Sequence, residues 1–204
     1  MKNTFLCKNL NCDELIIVFG GFASHPSHFS HLKSEKNVVL FYDFENLDFK
    51  FDFKAFSKIK LIAFSMGVCL ANYLLKEYDF DQKIAINGTN LGIDKEKGIH
   101  PTLFSKTMKK FNLENFKNSL FKNHKEKTKN FIFKDENTLK NELNMLFNFA
   151  LKEQKDYFLT WDKIYSSNQD EIFPQNALKK SFENLIFLNE PHFAFFHFHS
   201  WDEF

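Results

Sequence analysis

KIKLIAFSMGVCLANYLL, residues 58–75, decides the fold. A mostly apolar run, Lys58 to Phe64, meets Ser65 and passes straight into Met66–Tyr78. There apolar residues recur at helical spacing, and no breaker follows Gly67. Three more runs have the character of the first. ELIIVF (14–19) ends in Gly20-Gly21, NVVLFY (37–42) ends in Asp43, and KIAI (83–86) ends in Asn87-Gly88-Thr89. Each is continuous rather than alternating, as a strand buried on both faces must be. Such strands, separated by loops and one helix, predict a parallel α/β sheet with helices on both sides.

Outward from this half the pattern changes. Between residues 100 and 157 the only strand-like run is FIF (131–133), and helical periodicity dominates, as in LKNELNMLFNFALKEQ (139–154). Strand signals return at YFLTW (157–161), KIYSSN (163–168) and LIFLN (185–189), with a helix expected over Pro174–Phe182 between the last two. The chain of 204 residues therefore reads as a single domain. Residues 1–99 and 158–204 form the sheet core, and residues 100–157 form a helical lid insertion.

The formal charge of +1 gives no reason to expect a nucleic acid or other polyanion as partner. The sequence holds no arginine, so no bidentate guanidinium clamp for carboxylate or phosphate is available. The 29 phenylalanines read first as compositional bias. Three cysteines do not make a disulfide framework. MKNTFLCKNLNCDE lacks the long apolar region of a signal peptide, and no run reaches membrane-spanning length. A soluble, cytoplasmic, monomeric protein without a cofactor is expected.

Ser65 sits where a buried strand turns sharply into a helix. Ala63-Phe64-Ser65-Met66-Gly67 resembles the G-x-S-x-G nucleophile elbow, in which small flanking residues let strand and helix pack closely. Alone, such a serine can instead be structural, its hydroxyl only capping the helix. The catalytic reading requires an acid and then a histidine, each following a later strand. Asp170 follows KIYSSN, and His192 follows LIFLN. Asp162 is a weaker acid candidate because it precedes its strand. His197 and His199 lie farther from a strand end, and His25, His28 and His31 form another spaced set. Neither histidine group brings a carboxylate or cysteine at metal-ligand spacing, so no metal is expected. Gly20-Gly21 frees the backbone to aim the Phe22 amide, which with the Met66 amide is expected to form an oxyanion hole. The chemistry predicted is acyl transfer to water.

With these residues placed, the chain resembles the BioG-type pimeloyl-acyl-carrier-protein methyl ester esterases, a small α/β-hydrolase family. IVFGGFA, LIAFSMGVCLA, AINGT (85–89), GIHPTLF (98–104) and EPHFAFF carry the resemblance. It implies an α/β-hydrolase fold and removal of the methyl cap from a carrier-bound pimeloyl ester in biotin synthesis. It also implies an acyl carrier protein as partner and catalytic roles for Ser65, Asp170 and His192. Carrier proteins are acidic, and the segment 105–134 holds nine lysines against two glutamates. Lys117, Lys122 and Lys125 exemplify a docking surface, and Phe111 and Phe116 exemplify an acyl-channel lining. A carboxylesterase or thioesterase with another acyl substrate, and a non-catalytic binding module, are the alternatives.

Overall fold

A computed structural model describes residues 1–152 and 157–204. Seven strands form one sheet: β1 (Lys2–Cys7), β2 (Glu14–Phe19), β3 (Asn37–Tyr42), β4 (Lys58–Phe64), β5 (Gln82–Ile86), β6 (Lys163–Ser167) and β7 (Ile186–Leu188). Their order is β1-β3-β2-β4-β5-β6-β7, parallel throughout except that β1 runs antiparallel to β3. The α-helices are α1 (Met66–Leu74), α2 (Pro101–Lys109), α3 (Leu113–Phe121), α4 (Glu136–Lys152) and α5 (Gln175–Ser181). No helix among the described residues is long and apolar enough to cross a membrane.

The continuous apolar runs have the structural reason anticipated for them. Along β2, Leu15, Ile17 and Phe19 enter one core while Ile16 and Val18 enter the other, and all five are buried. The first core is covered by α1, α4, α5 and a phenylalanine-bearing loop after β3. The second is closed by short 3₁₀ turns at 26–29, 194–197 and 201–203, by the end of α3, and by the aromatic tail. Phe29, Phe193, Phe195, Trp201 and Phe204 stack there in edge-to-face and tilted pairs.

Four sequence expectations require correction. β1 was not anticipated. It lies at the sheet edge, pairs with β3 alone, and leaves Phe5 partly exposed, so its apolar signal is diluted. YFLTW forms no strand. Its polar groups bond asparagine side chains instead: Leu159 N–H to Asn72 Oδ1 (2.7 Å) and Trp161 Nε1–H to Asn90 Oδ1 (2.7 Å). FIF is likewise not a strand, and the Ile132 N–H bonds Ser27 Oγ at 2.9 Å. The helix expected to reach Tyr78 stops at Leu74, after which the chain turns, with Tyr78 N–H bonding the Leu75 carbonyl. The expected helix over 139–154 is α4 up to Lys152, and its last two positions lie outside the described residues.

Candidate active site

Three parallel strands, β4, β6 and β7, end at the same edge of the sheet, with β5 between β4 and β6. β4 delivers Ser65, the loop after β6 delivers Asp170, and the loop after β7 delivers His192. Ser65 has φ 56° and ψ −126°, a conformation L residues rarely adopt and one found where surrounding structure enforces it. Its side chain makes no cap hydrogen bond to α1, so the alternative of a plain helix cap does not describe this serine. The hydroxyl lies 2.9 Å from His192 Nε2 instead. His192 Nδ1 lies 2.7 Å from Asp170 Oδ2, and both side chains are 2% exposed. Asp170 Oδ1 accepts the Ile172 and Phe173 N–H groups, each at 2.8 Å, which fixes the carboxylate plane. An imidazole whose Nδ1–H donates to a carboxylate leaves Nε2 able to accept from a hydroxyl, and the two distances fit that tautomer.

The neighbours pack closely around this arrangement and hydrogen-bond to it. A Cβ on Gly67 would lie 2.3 Å from the Gly20 carbonyl oxygen, and one on Gly88 would lie 2.2 Å from the Ser65 carbonyl oxygen. Asn87, at φ 47°, donates to Ser167 Oγ (2.8 Å) and to the His192 carbonyl (2.7 Å) and accepts the Ser167 N–H (2.7 Å). One buried side chain thus ties together the loops that carry the acid and the histidine. The INGT stretch therefore has two duties. Asparagine fastens the loops, and glycine leaves room for the elbow.

Phe22 and Met66 border the same space as Ser65. Among the described residues neither backbone N–H has a protein acceptor. The site opens into a cavity of about 440 Å³, lined mainly by apolar side chains that include Phe64, Phe104, Phe111, Phe116, Leu143 and Ile172. Lys106, Lys110, Asn112 and Asn115 also line it.

The remaining named residues fall elsewhere. Lys117 pairs with Glu114 at 2.8 Å and Lys122 with Glu171 at 2.8 Å, while Lys125 is exposed, and none of the three lines the cavity. Asp162 binds the Lys83 N–H at the opposite ends of the strands. His197 lies 3.8 Å from Glu190, and the His199 amide bonds Glu203. His28 is buried, and burial lowers its pKa to about 3; its Nε2–H donates to the Ile132 carbonyl at 2.8 Å. Among the described residues no group of three or more His, Cys, Asp or Glu side chains is placed to hold a metal ion.

Two features escaped the sequence reading. Lys106 and Lys110 belong to the noted lysine run, but only the bend between α2 and α3 reveals which lysines face the cavity. Glu142, one exposed-looking charge on an amphipathic helix, is in fact 1% exposed. Burial raises its pKa to about 7, with the Ala23 and Phe44 amides and Lys134 opposing the rise.

Comparison with known proteins bears on the fold and the family. BioG from Haemophilus influenzae has a crystal structure that matches with a TM-score of 0.91 at 24% identity, over 100% of this chain and 99% of that one. A lipase-esterase related protein from Clostridium acetobutylicum matches with a TM-score of 0.62 at 13% identity, over 95% and 93% of the two chains. These likenesses establish the α/β-hydrolase fold. Separately, 103 residues align at 34% identity with a malonyl-acyl-carrier-protein O-methyltransferase from Bacteroides fragilis, covering 48% of this chain and 21% of that protein. Residues 1–204 match the family described as pimeloyl-ACP methyl esterase BioG, and the chain belongs to that family.

Proposed function

We propose that this chain is a serine esterase that hydrolyses the methyl ester of pimeloyl-acyl-carrier-protein methyl ester. The hydrogen-bonded chain Ser65 Oγ, His192 Nε2, His192 Nδ1, Asp170 Oδ2 carries the reading. His192 takes the Ser65 proton as Oγ attacks the ester carbonyl carbon, and Asp170 supports the imidazolium. The Phe22 and Met66 amides receive the oxyanion. Collapse of the tetrahedral intermediate breaks the C–O bond, and His192 returns the proton to methoxide, releasing methanol. Water then attacks the acyl-enzyme with His192 again as base, leaving a free carboxylic acid at the end of the chain and Ser65 restored.

The apolar cavity suits a methylene chain, and the lysines at its rim suit an acidic carrier. Lys117 and Lys122 are already paired with carboxylates, so Lys106 and Lys110 are the cations best placed to meet the carrier. The partial relative named as a malonyl-acyl-carrier-protein O-methyltransferase adds support, because a methyl cap placed on a carrier-bound acid needs an enzyme to remove it. The test is mass spectrometry of the carrier after incubation with purified protein. Loss of the methyl group with the carrier thioester intact is the expected product. Loss of the whole acyl chain from the carrier would assign a thioesterase, and no reaction together with no fluorophosphonate labelling would assign a binding module.

A further inference from the structure

The loop that carries Phe22 is held on two sides by residues from the segment between β5 and β6. The Phe22 ring packs edge-on against Phe111 (5.5 Å between centroids) and Phe116 (5.1 Å). The next amide, Ala23 N–H, donates to Glu142 Oε1 at 3.1 Å. Glu142 lies on α4, 119 residues away in sequence, and its side chain is fully enclosed. Ala23 has φ 60°, a left-handed conformation that costs free energy in a residue with a Cβ and persists only where the surroundings impose it. Lys134, just before α4, pairs with Asp43 and with Glu45 (3.0 Å) after β3. Lys134 and Asp43 are the charged groups that act on Glu142.

A buried carboxylate is costly, and a neutral apolar residue would fill this place on α4 more cheaply. What Glu142 supplies is an acceptor for two backbone amides, that of Phe44 and that of Ala23, the one following the proposed oxyanion donor. We infer that Glu142 is a positioning residue for the oxyanion-binding loop, coupling the seating of α4 on the core to the acyl-transfer step. The inference rests on the esterase reading above. Glu142 does not touch substrate. It fixes the left-handed Ala23 and so the direction in which the Phe22 N–H points. A displacement of about 1 Å in such a donor is enough to lower a rate by roughly 100-fold.

Glu142→Met keeps the side-chain length and removes the acceptor, and Glu142→Gln keeps an acceptor oxygen without the charge. Both are to be assayed on a short-chain ester beside wild type and Ser65→Ala, with competent sites counted by fluorophosphonate titration so that unfolded protein does not lower the apparent kcat. The expected result for Glu142→Met is a kcat lower by about 10- to 100-fold at nearly constant KM, and a matching loss of affinity for an alkyl boronic acid that mimics the tetrahedral state. Glu142→Gln should recover most of both. Wild-type kcat and boronate affinity in Glu142→Met would overturn the inference, as would a Glu142→Gln protein as impaired as Glu142→Met. If Glu142→Met does not fold, amide exchange in the wild type decides: Ala23 N–H must be protected, and rapid exchange there would overturn the inference. Absence of ester hydrolysis by the wild type itself would instead remove the esterase reading.

Discussion

Ser65 shows how a single backbone conformation separates two readings of one residue. At φ 56° its hydroxyl is turned away from the α1 amides and toward His192. That orientation was legible in AFSMG because of the small residues on either side, and in the chain order of serine, acid and histidine. Replacing Asp170 with Asn should leave the fold intact and lower kcat by on the order of 10⁴-fold, since the imidazole loses the partner that fixes its tautomer. Steady-state kinetics on any accepted ester reads this. Gly67→Ala should destabilise the protein by about 3 kcal/mol or more in denaturant unfolding, because the atoms it meets are the backbone oxygens of Phe19 and Gly20 and have no rotamer to change. Glu142 offers a pH test. Its pKa rises from 4.5 to about 7 on folding, so the folded state binds the extra proton. The stability of wild type relative to Glu142→Gln is therefore greatest below pH 4.5, falls through the interval up to about 7, and is lower by about 3 kcal/mol above it. Glu142 was not legible, because a lone glutamate on an amphipathic helix ordinarily faces water.

At the scale of elements, β2 to β5 were legible from their apolar runs, since a parallel strand covered on both faces leaves no position for alternation. β1 and the segment 157–161 were not, for opposite reasons. β1 forms a strand despite a polar pattern because the edge of β3 offers a free ladder. Residues 157–161 have a strand's composition yet spend their hydrogen bonds on Asn72 and Asn90. The helices between β5 and β6 were legible as helices, but the direction in which each lysine projects depends on how α2 packs against α4 and where the chain turns into α3. Charge reversal at Lys106 and Lys110 should reduce kcat/KM for a carrier-bound ester by about 10-fold or more at low ionic strength, with the loss shrinking as salt is added and little change for a small free ester. Equal losses on both substrates would place these lysines in the chemistry and not in docking.

For the molecule as a whole, the two sides of the sheet are finished differently. Helices seal the first core, whereas the second depends on 3₁₀ turns and an aromatic tail in which Trp201 is fully buried. Phenylalanine, whose abundance in the sequence reads as composition, is material of both cores and supplies this seal through Phe29, Phe121, Phe193, Phe195, Phe198 and Phe204. Trp201→Ala should cost about 3–5 kcal/mol in unfolding free energy, and because His192 begins the same tail, activity should fall with folded fraction. Sheet order and tail together bring residues 65, 170 and 192 to one point, and the proposed activity depends on that convergence. The most direct test is the mass of pimeloyl-acyl-carrier-protein methyl ester after incubation with wild type and with Ser65→Ala. Loss of the methyl group with wild type, slowed by on the order of 10⁶-fold in folded Ser65→Ala, is the predicted result. Retention of the methyl ester by folded wild type, or equal cleavage by Ser65→Ala, would contradict it.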